Sequence, residues 1–183
     1  MKYQLEGLKW LGGFVLLLWG IEVANIILDR SLLQFGLMPR DLGQWYGIIT
    51  FPLLHGGIVH LLSNSIPLLI LGFLVHQTRE LLTVTLFVIF TTGILVWLFG
   101  REALHVGASG LVMGYWGYLL SYGYFRRSMQ SIIISLLTLI FYGGMVFSLL
   151  DFRQHISFEG HIFGFISGVL CAWVLVKTNH KAQ

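Results

Sequence analysis

The sequence predicts an all-α polytopic membrane protein, a bundle of six transmembrane helices. Three observations carry that reading. Of its 183 residues, 56% are hydrophobic and only 10% are charged. A soluble domain carries about 25% charged residues, so this chain has too little polar surface to cover itself in water. Six segments each approach the roughly 20 mostly apolar residues that a helix needs to cross a bilayer. They are 10–28, 58–75, 81–99, 109–125, 131–150 and 161–176.

Each element follows from its local pattern. The first span begins after Lys2 and Lys9 and resembles a signal peptide in outline. It is longer than a typical signal core and has no small-x-small cleavage site, so it reads as a retained helix. Residues 29–57 are too long for a tight connection and only moderately apolar. With Trp45, Tyr46 and Phe51 they suit short helices in the headgroup layer. The remaining loops are short, as in a compact bundle. No linker, repeat or low-complexity stretch divides the chain, so residues 1–183 read as one domain.

Lysines and arginines set the orientation. With the N-terminus inside, the inner segments hold Lys2, Lys9, Arg79, Arg126, Arg127, Lys177 and Lys181. The outer ones hold Arg30, Arg40, Arg101 and Arg153. The excess favours both termini in the cytoplasm. The net charge of +3 is spread along the chain with no cluster beyond Arg126-Arg127, which argues against nucleic acid as a partner. The single cysteine, Cys171, excludes an internal disulfide and reads as a small buried hydrophobe.

Polar side chains at the ends of spans are the informative exceptions. Burying an unpaired polar group in hydrocarbon costs several kcal/mol, so such residues are functional candidates. Span two opens with His60 and Asn64, span four with Ser109, span six with His161. These spans run in the same direction, so their first turns lie at similar depth. His60 and Asn64 are four apart and share a helical face. Gly110, Gly114, Gly117 and Ser121 form one small-residue stripe; His161, Gly164 and Gly168 form another. If the two stripes meet, Ser109 and His161 come together at the top of the contact.

A serine hydroxyl beside an imidazole base is the simplest nucleophilic pair. The first amides of the helix that Ser109 opens, with Asn64 and His60, could receive a developing oxyanion. Glu159 and Asp151, in the loop before span six, could orient His161. A metal site of His55, His60 and His161 lacks carboxylates and any HExxH pattern, so no metal and no other cofactor is expected. His105 reads as a loop-packing residue, and His76 and His180 as interfacial. Glu22 sits within span one with no evident partner.

The residues now carry a resemblance. Gly107-Ala108-Ser109-Gly110 resembles the GxSG motif of the rhomboid intramembrane serine proteases. His60-Leu61-Leu62-Ser63-Asn64 resembles their HxxxN motif, and Gly160-His161 with Gly164 and Gly168 resembles the helix of their histidine. Gly36-Leu37-Met38-Pro39-Arg40 resembles the short bacterial members. The resemblance implies Ser109 as nucleophile, His161 as base, and Asn64, His60 and the Ser109 amide as oxyanion donors. It places Gly107 and Gly110 around the hydroxyl and gives Gly114, Gly164, Gly168 and Met113 a packing role. It implies transmembrane protein substrates cleaved near a small residue where the substrate helix is unstable, with access past span five. It also implies a bacterial inner membrane and an active site open to the outer side. Three departures stand out: Trp45-Tyr46 where many members have a Trp-Arg pair, Met113 where an aromatic residue is common, and His76 with Arg79-Glu80 after span two. An inactive binder of transmembrane clients is the alternative within the same fold. A small transporter or channel is a further one, although it should show inverted repeats or charges at mid-bilayer.

Overall fold

The computed structural model describes residues 2–151 and 157–181, with side chains from Glu6 to Asp151 and from Ser157 to Thr178. Among these residues the fold is all-helical, apart from one isolated antiparallel bridge between Leu37 and His105. The long helices are α1 (Lys2–Ile27), α3 (Ile58–Gln77), α4 (Leu81–Phe99), α5 (Ser109–Arg126), α6 (Met129–Tyr142) and α7 (Phe158–Lys181). Between α1 and α3 lie three short 3-10 turns and the one-turn helix α2 (Gly47–Thr50), the short helices expected for this loop.

Five segments are long and apolar enough to cross a membrane: Glu6–Ile27, Ile58–Gln77, Leu81–Phe99, Met129–Leu150 and Phe158–Thr178. The sixth expected span, α5, has the length, at about 1.5 Å per residue, but falls short in apolarity. Its glycines, tyrosines and Ser121 lower its hydropathy because α5 faces protein, not lipid. Residues from Gly110 to Leu119 are all buried. By contrast, Leu16, Leu86, Phe90, Ile140 and Phe141 are exposed on the outer helices, as lipid-facing residues should be. The fifth expected span, 131–150, is split: α6 ends at Tyr142 and tightens into a 3-10 segment, Gly143–Leu150. Ser128 starts α6 with a capping box, its side chain accepting the Ser131 amide while Ser131 answers the Ser128 amide.

The two glycine stripes do meet. A Cβ placed on Gly164 would strike the Gly110 carbonyl, and one on Gly168 the Gly114 carbonyl and the Tyr118 amide. A Cβ on Gly117 would strike the Phe165 carbonyl. Backbone therefore packs on backbone from Gly110 to Tyr118. Gly114 itself makes room on another side: a Cβ there would collide with Val88 of α4, so this glycine serves two helices.

Lipid offers no hydrophobic drive between spans, so close packing and interhelical hydrogen bonds must hold them. Tyr115 pairs with Thr85 (2.5 Å), Tyr118 with Thr78 (3.0 Å), and Thr92 donates to Ser167 (3.2 Å). Trp19 of α1 donates to Ser65 of α3 at 3.2 Å. Leu18, Leu61, Leu68, Leu71, Val84, Leu111 and Leu119 fill the spaces between these bonds, with Cys171. His76 is not interfacial but buried, because the first turns of α1 close over its ring at Gly7.

Gly168→Ala should destabilise the bundle by about 1–3 kcal/mol, since its new methyl meets backbone that has no room to yield. Gly13→Ala, exposed in the interior of α1 with nothing within 4 Å of its methyl, should instead stabilise by about 0.5–1 kcal/mol. Thermal unfolding of the two variants in detergent checks the contrast.

Candidate active site

The residues before α5 are pinned almost atom by atom to the first loop. Leu37 and His105 exchange backbone hydrogen bonds of 3.0 and 2.9 Å. The Gly107 amide donates to the Phe51 carbonyl at 2.9 Å, and the Ala108 amide to Nε2 of His55 at 3.3 Å. Gly107 adopts φ +122°, a region that favours glycine. Any side chain there would also run into the His60 ring, at 2.8 Å from its Nε2. Ser109 follows as the first residue of α5. Its N-cap, Ala108, has no side chain that can bond the first amides, which stay available to another acceptor.

From the other side, α7 brings His161 within its first turns. Ser157 precedes the helix and accepts the Gly160 amide on its hydroxyl (3.2 Å) and the His161 amide on its carbonyl (3.2 Å). Gly110 and Gly160, the neighbours of Ser109 and His161, face each other: a Cβ on Gly110 would lie 3.2 Å from the Gly160 carbonyl.

Ser109 and His161 line one cavity of about 1130 Å³. His60, Asn64, Met113 and Ser148 line it too. This slightly exceeds the usual range of small-molecule pocket volumes, about 300–1,000 Å³.

Nδ1 of His161 lies 2.9 Å from the Ser148 carbonyl. A carbonyl only accepts, so this nitrogen carries the proton and Nε2 is left with a lone pair. A backbone oxygen thus orients the ring, in keeping with a dyad read without a third side chain. Glu159, one candidate for that place, lies in α7 and turns to Arg101 instead, accepting its amide at 3.2 Å and facing its Nε at 3.5 Å.

The donors facing the cavity are unspent. Asn64 is buried, and its Nδ2 has no hydrogen-bond partner among the described residues. A Cβ on Gly107 would sit 3.7 Å from that nitrogen, so it lies beside the loop that carries Ser109. His60 receives the Gly56 amide at Nδ1 over a long 3.5 Å, which puts the ring proton on Nε2, toward Gly107. A hydroxyl, an unprotonated imidazole nitrogen and unclaimed N–H donors around one cavity are the equipment of acyl transfer. Among the described residues no group of three or more histidines, cysteines or carboxylates could hold a metal ion.

Two contributors escaped the sequence reading. Ser148 acts through a carbonyl, which no residue type signals. His55, weighed only as a metal ligand, is fully buried, receives the Ala108 amide and meets His60 edge to face at 5.2 Å between centroids. His105 is buried as well, with Nδ1 2.7 Å from the Ser157 hydroxyl and Nε2 3.2 Å from the Arg101 carbonyl. Burial lowers its pKa.

The helical bundle and this cavity define a polytopic membrane protein with a serine and a histidine lining a common open cavity. Comparison with known proteins takes the assignment further. The Rhomboid domain family matches residues 42–178, and the chain belongs to the rhomboid family. It is 33% identical to an uncharacterised Mycobacterium tuberculosis protein, over 93% of this chain and 75% of that one. It is 33% identical to RHOMBOID-like protein 4 of Arabidopsis thaliana, over 69% of this chain and 33% of that protein. A Bacillus subtilis protein, YdcA, named provisionally as a rhomboid protease, is 27% identical over 90% of this chain and 84% of its own length.

Burial, with His60 beside it, holds the pKa of His55 down at about 4, against 6.5 for a free imidazole. Folding stability is then complete above pH 6.5 and falls as the pH drops toward about 4, where the unfolded chain binds a proton that the native ring refuses. The full loss from this one group is about 3 kcal/mol. Subtracting the stability-versus-pH curve of His55→Gln, whose carbonyl can still receive the Ala108 amide, should isolate this step.

Proposed function

We propose that the chain is an intramembrane serine endopeptidase that cleaves transmembrane segments of membrane proteins through a Ser109–His161 dyad. The observation that carries this reading is the cavity shared by Ser109, by His161 with its Nδ1 tied to Ser148, and by the orphaned Nδ2 of Asn64. An unpartnered buried amide costs about 1–3 kcal/mol. That cost is returned if an oxyanion fills the place during reaction.

In this mechanism Nε2 of His161 takes the Ser109 proton as the hydroxyl attacks the scissile carbonyl. The carbonyl oxygen, now negative, is received by Nδ2 of Asn64, Nε2–H of His60 and the first amides of α5. His161 then passes its proton to the departing nitrogen as the C–N bond breaks, which leaves the acyl group as an ester on Ser109. Water enters the cavity, loses a proton to His161 and adds to the ester carbonyl; the bond to Ser109 then breaks, His161 returns the proton to the serine oxygen, and the second product leaves with a new carboxyl group. The Ser148 carbonyl stabilises the imidazolium through its Nδ1–H at each stage.

In the same proposal α5 is a sixth crossing helix, shielded from lipid by its neighbours. The excess of Lys and Arg in the inner segments puts both termini in the cytoplasm and the cavity toward the outer side. A bacterial inner membrane suits the bacterial relatives. The partners are the lipid bilayer and transmembrane protein substrates.

Cleavage of a reporter transmembrane substrate in liposomes tests the assignment, with fluorophosphonate labelling of Ser109 read alongside. Ser109→Ala and His161→Ala should each lose about 10⁴-fold or more in rate. Asn64→Ala should lose about 10²–10³-fold while the protein stays folded. Wild-type rates in Ser109→Ala would overturn the nucleophile. A wild type that neither cleaves nor labels would make the protein a non-catalytic binder of transmembrane clients.

A further inference from the structure

One charged residue in the cavity wall has no part in this chemistry. Arg30 follows α1 in the left-handed conformation (φ +65°) and lines the same cavity as Ser109 and His161. Its placement is enforced from several directions. Its amide donates to the Asn25 carbonyl at 2.7 Å, and the buried Asn25 side chain accepts the Leu32 amide at 3.1 Å just beyond it. Its Nη1 donates to Oε1 of Glu22 at 2.5 Å.

The ion pair is lopsided. The Glu22 side chain is 2% exposed and the Arg30 side chain 39%. The carboxylate is sealed on the protein side, and the guanidinium is what the cavity meets. A guanidinium has five N–H donors in a fixed plane, and the pair with Glu22 engages one of its two terminal nitrogens. Much of the surrounding wall is apolar, with Val59, Ile66, Leu104 and Met145 among it. In such surroundings an approaching carboxylate gains a charge-assisted, two-pronged hydrogen bond, which a neutral amide of the same shape does not.

Resting on the protease reading above, we propose that Arg30 is a specificity-determining residue. It selects substrates that carry an aspartate or glutamate close to the scissile bond, and Glu22 holds its guanidinium in place. A polypeptide substrate is the favoured source of that carboxylate because the nucleophile and the guanidinium line one continuous space. A lipid phosphate would not need Ser109 nearby.

The test pairs substrates that differ only by Asp against Asn at successive positions around the cleaved bond, in liposomes of phosphatidylcholine. At the position that reaches Arg30, the wild type should favour Asp by about tenfold in kcat/KM. The double variant Glu22→Gln, Arg30→Gln removes the pair without stranding a buried charge, and its Asp/Asn ratio should fall to about one. Arg30→Lys, which keeps a cation for Glu22 but loses the planar fork, should give an intermediate ratio. A wild-type ratio of one at every position, or an unchanged ratio in the double variant, overturns the proposal. So does a loss that is equal for both substrates and arises only when phosphatidylglycerol is added, which would assign Arg30 to lipid phosphate. Fluorophosphonate labelling in the same samples separates the two readings. If the wild type neither labels nor cleaves, the protease assignment fails by itself. Fluorescence anisotropy of the labelled Asp and Asn substrates then decides Arg30: tighter binding of Asp, lost in the double variant, sustains its carboxylate site, and equal binding removes it.

Discussion

Everything in the site depends on how closely α5 and α7 approach. Two helices carrying ordinary side chains pack 8–10 Å apart. Here Gly110, Gly117, Gly164 and Gly168 remove the side chains from the seam, and carbonyls of one helix lie where the other helix would have its Cβ atoms. Only that approach lets the first residue of one helix and an early residue of the other face a common space. The seam also explains why α5 is the least apolar of the long helices. A helix surrounded by protein is free to spend its surface on glycine and tyrosine, and its tyrosines then find Thr85 and Thr78 as partners.

Around that seam the site is organised by backbone more than by side chains. The segment before Ser109 is held by Leu37, Phe51 and His55, all in or beside the first loop. The loop is in turn fixed to α4: a Cβ on Gly93 would meet the Ile48 carbonyl, Trp97 donates to the Asp41 carbonyl at 3.2 Å, and Arg40 reaches the Gly100 carbonyl at 2.7 Å. A long loop of mixed polarity thus acts as scaffold. It holds the segment before Ser109 in a chain whose single cysteine, Cys171, can form no internal disulfide.

Much of this was legible in the sequence because membranes simplify the code. Five of the six spans read from the sequence fall on helical segments long and apolar enough to cross a membrane, and the polar residues left over at span ends, Ser109, His161, His60 and Asn64, line one cavity. The glycine spacing foretold the α5–α7 contact. What stayed hidden was set by backbone geometry or by distant pairing. The 3-10 tightening at Gly143 has no strong residue signature, and neither does the Ser148 carbonyl that orients His161. Glu22 had no visible partner because Arg30 lies beyond the end of the helix, brought back by a left-handed turn. His55 looked like a ligand because a histidine that receives a backbone amide leaves no pattern in sequence.

The tie between His161 and Ser148 has a consequence for how such a protein tolerates change. Every amino acid brings the same carbonyl, so the orienting group survives any replacement of residue 148 that keeps the 3-10 path. A scan that exchanges side chains one at a time would record position 148 as dispensable. The same chain would be sensitive to anything that reroutes the backbone from Gly143 to Leu150, including an insertion or deletion of a single residue. Selection would then act there on the length of the segment rather than on its letters.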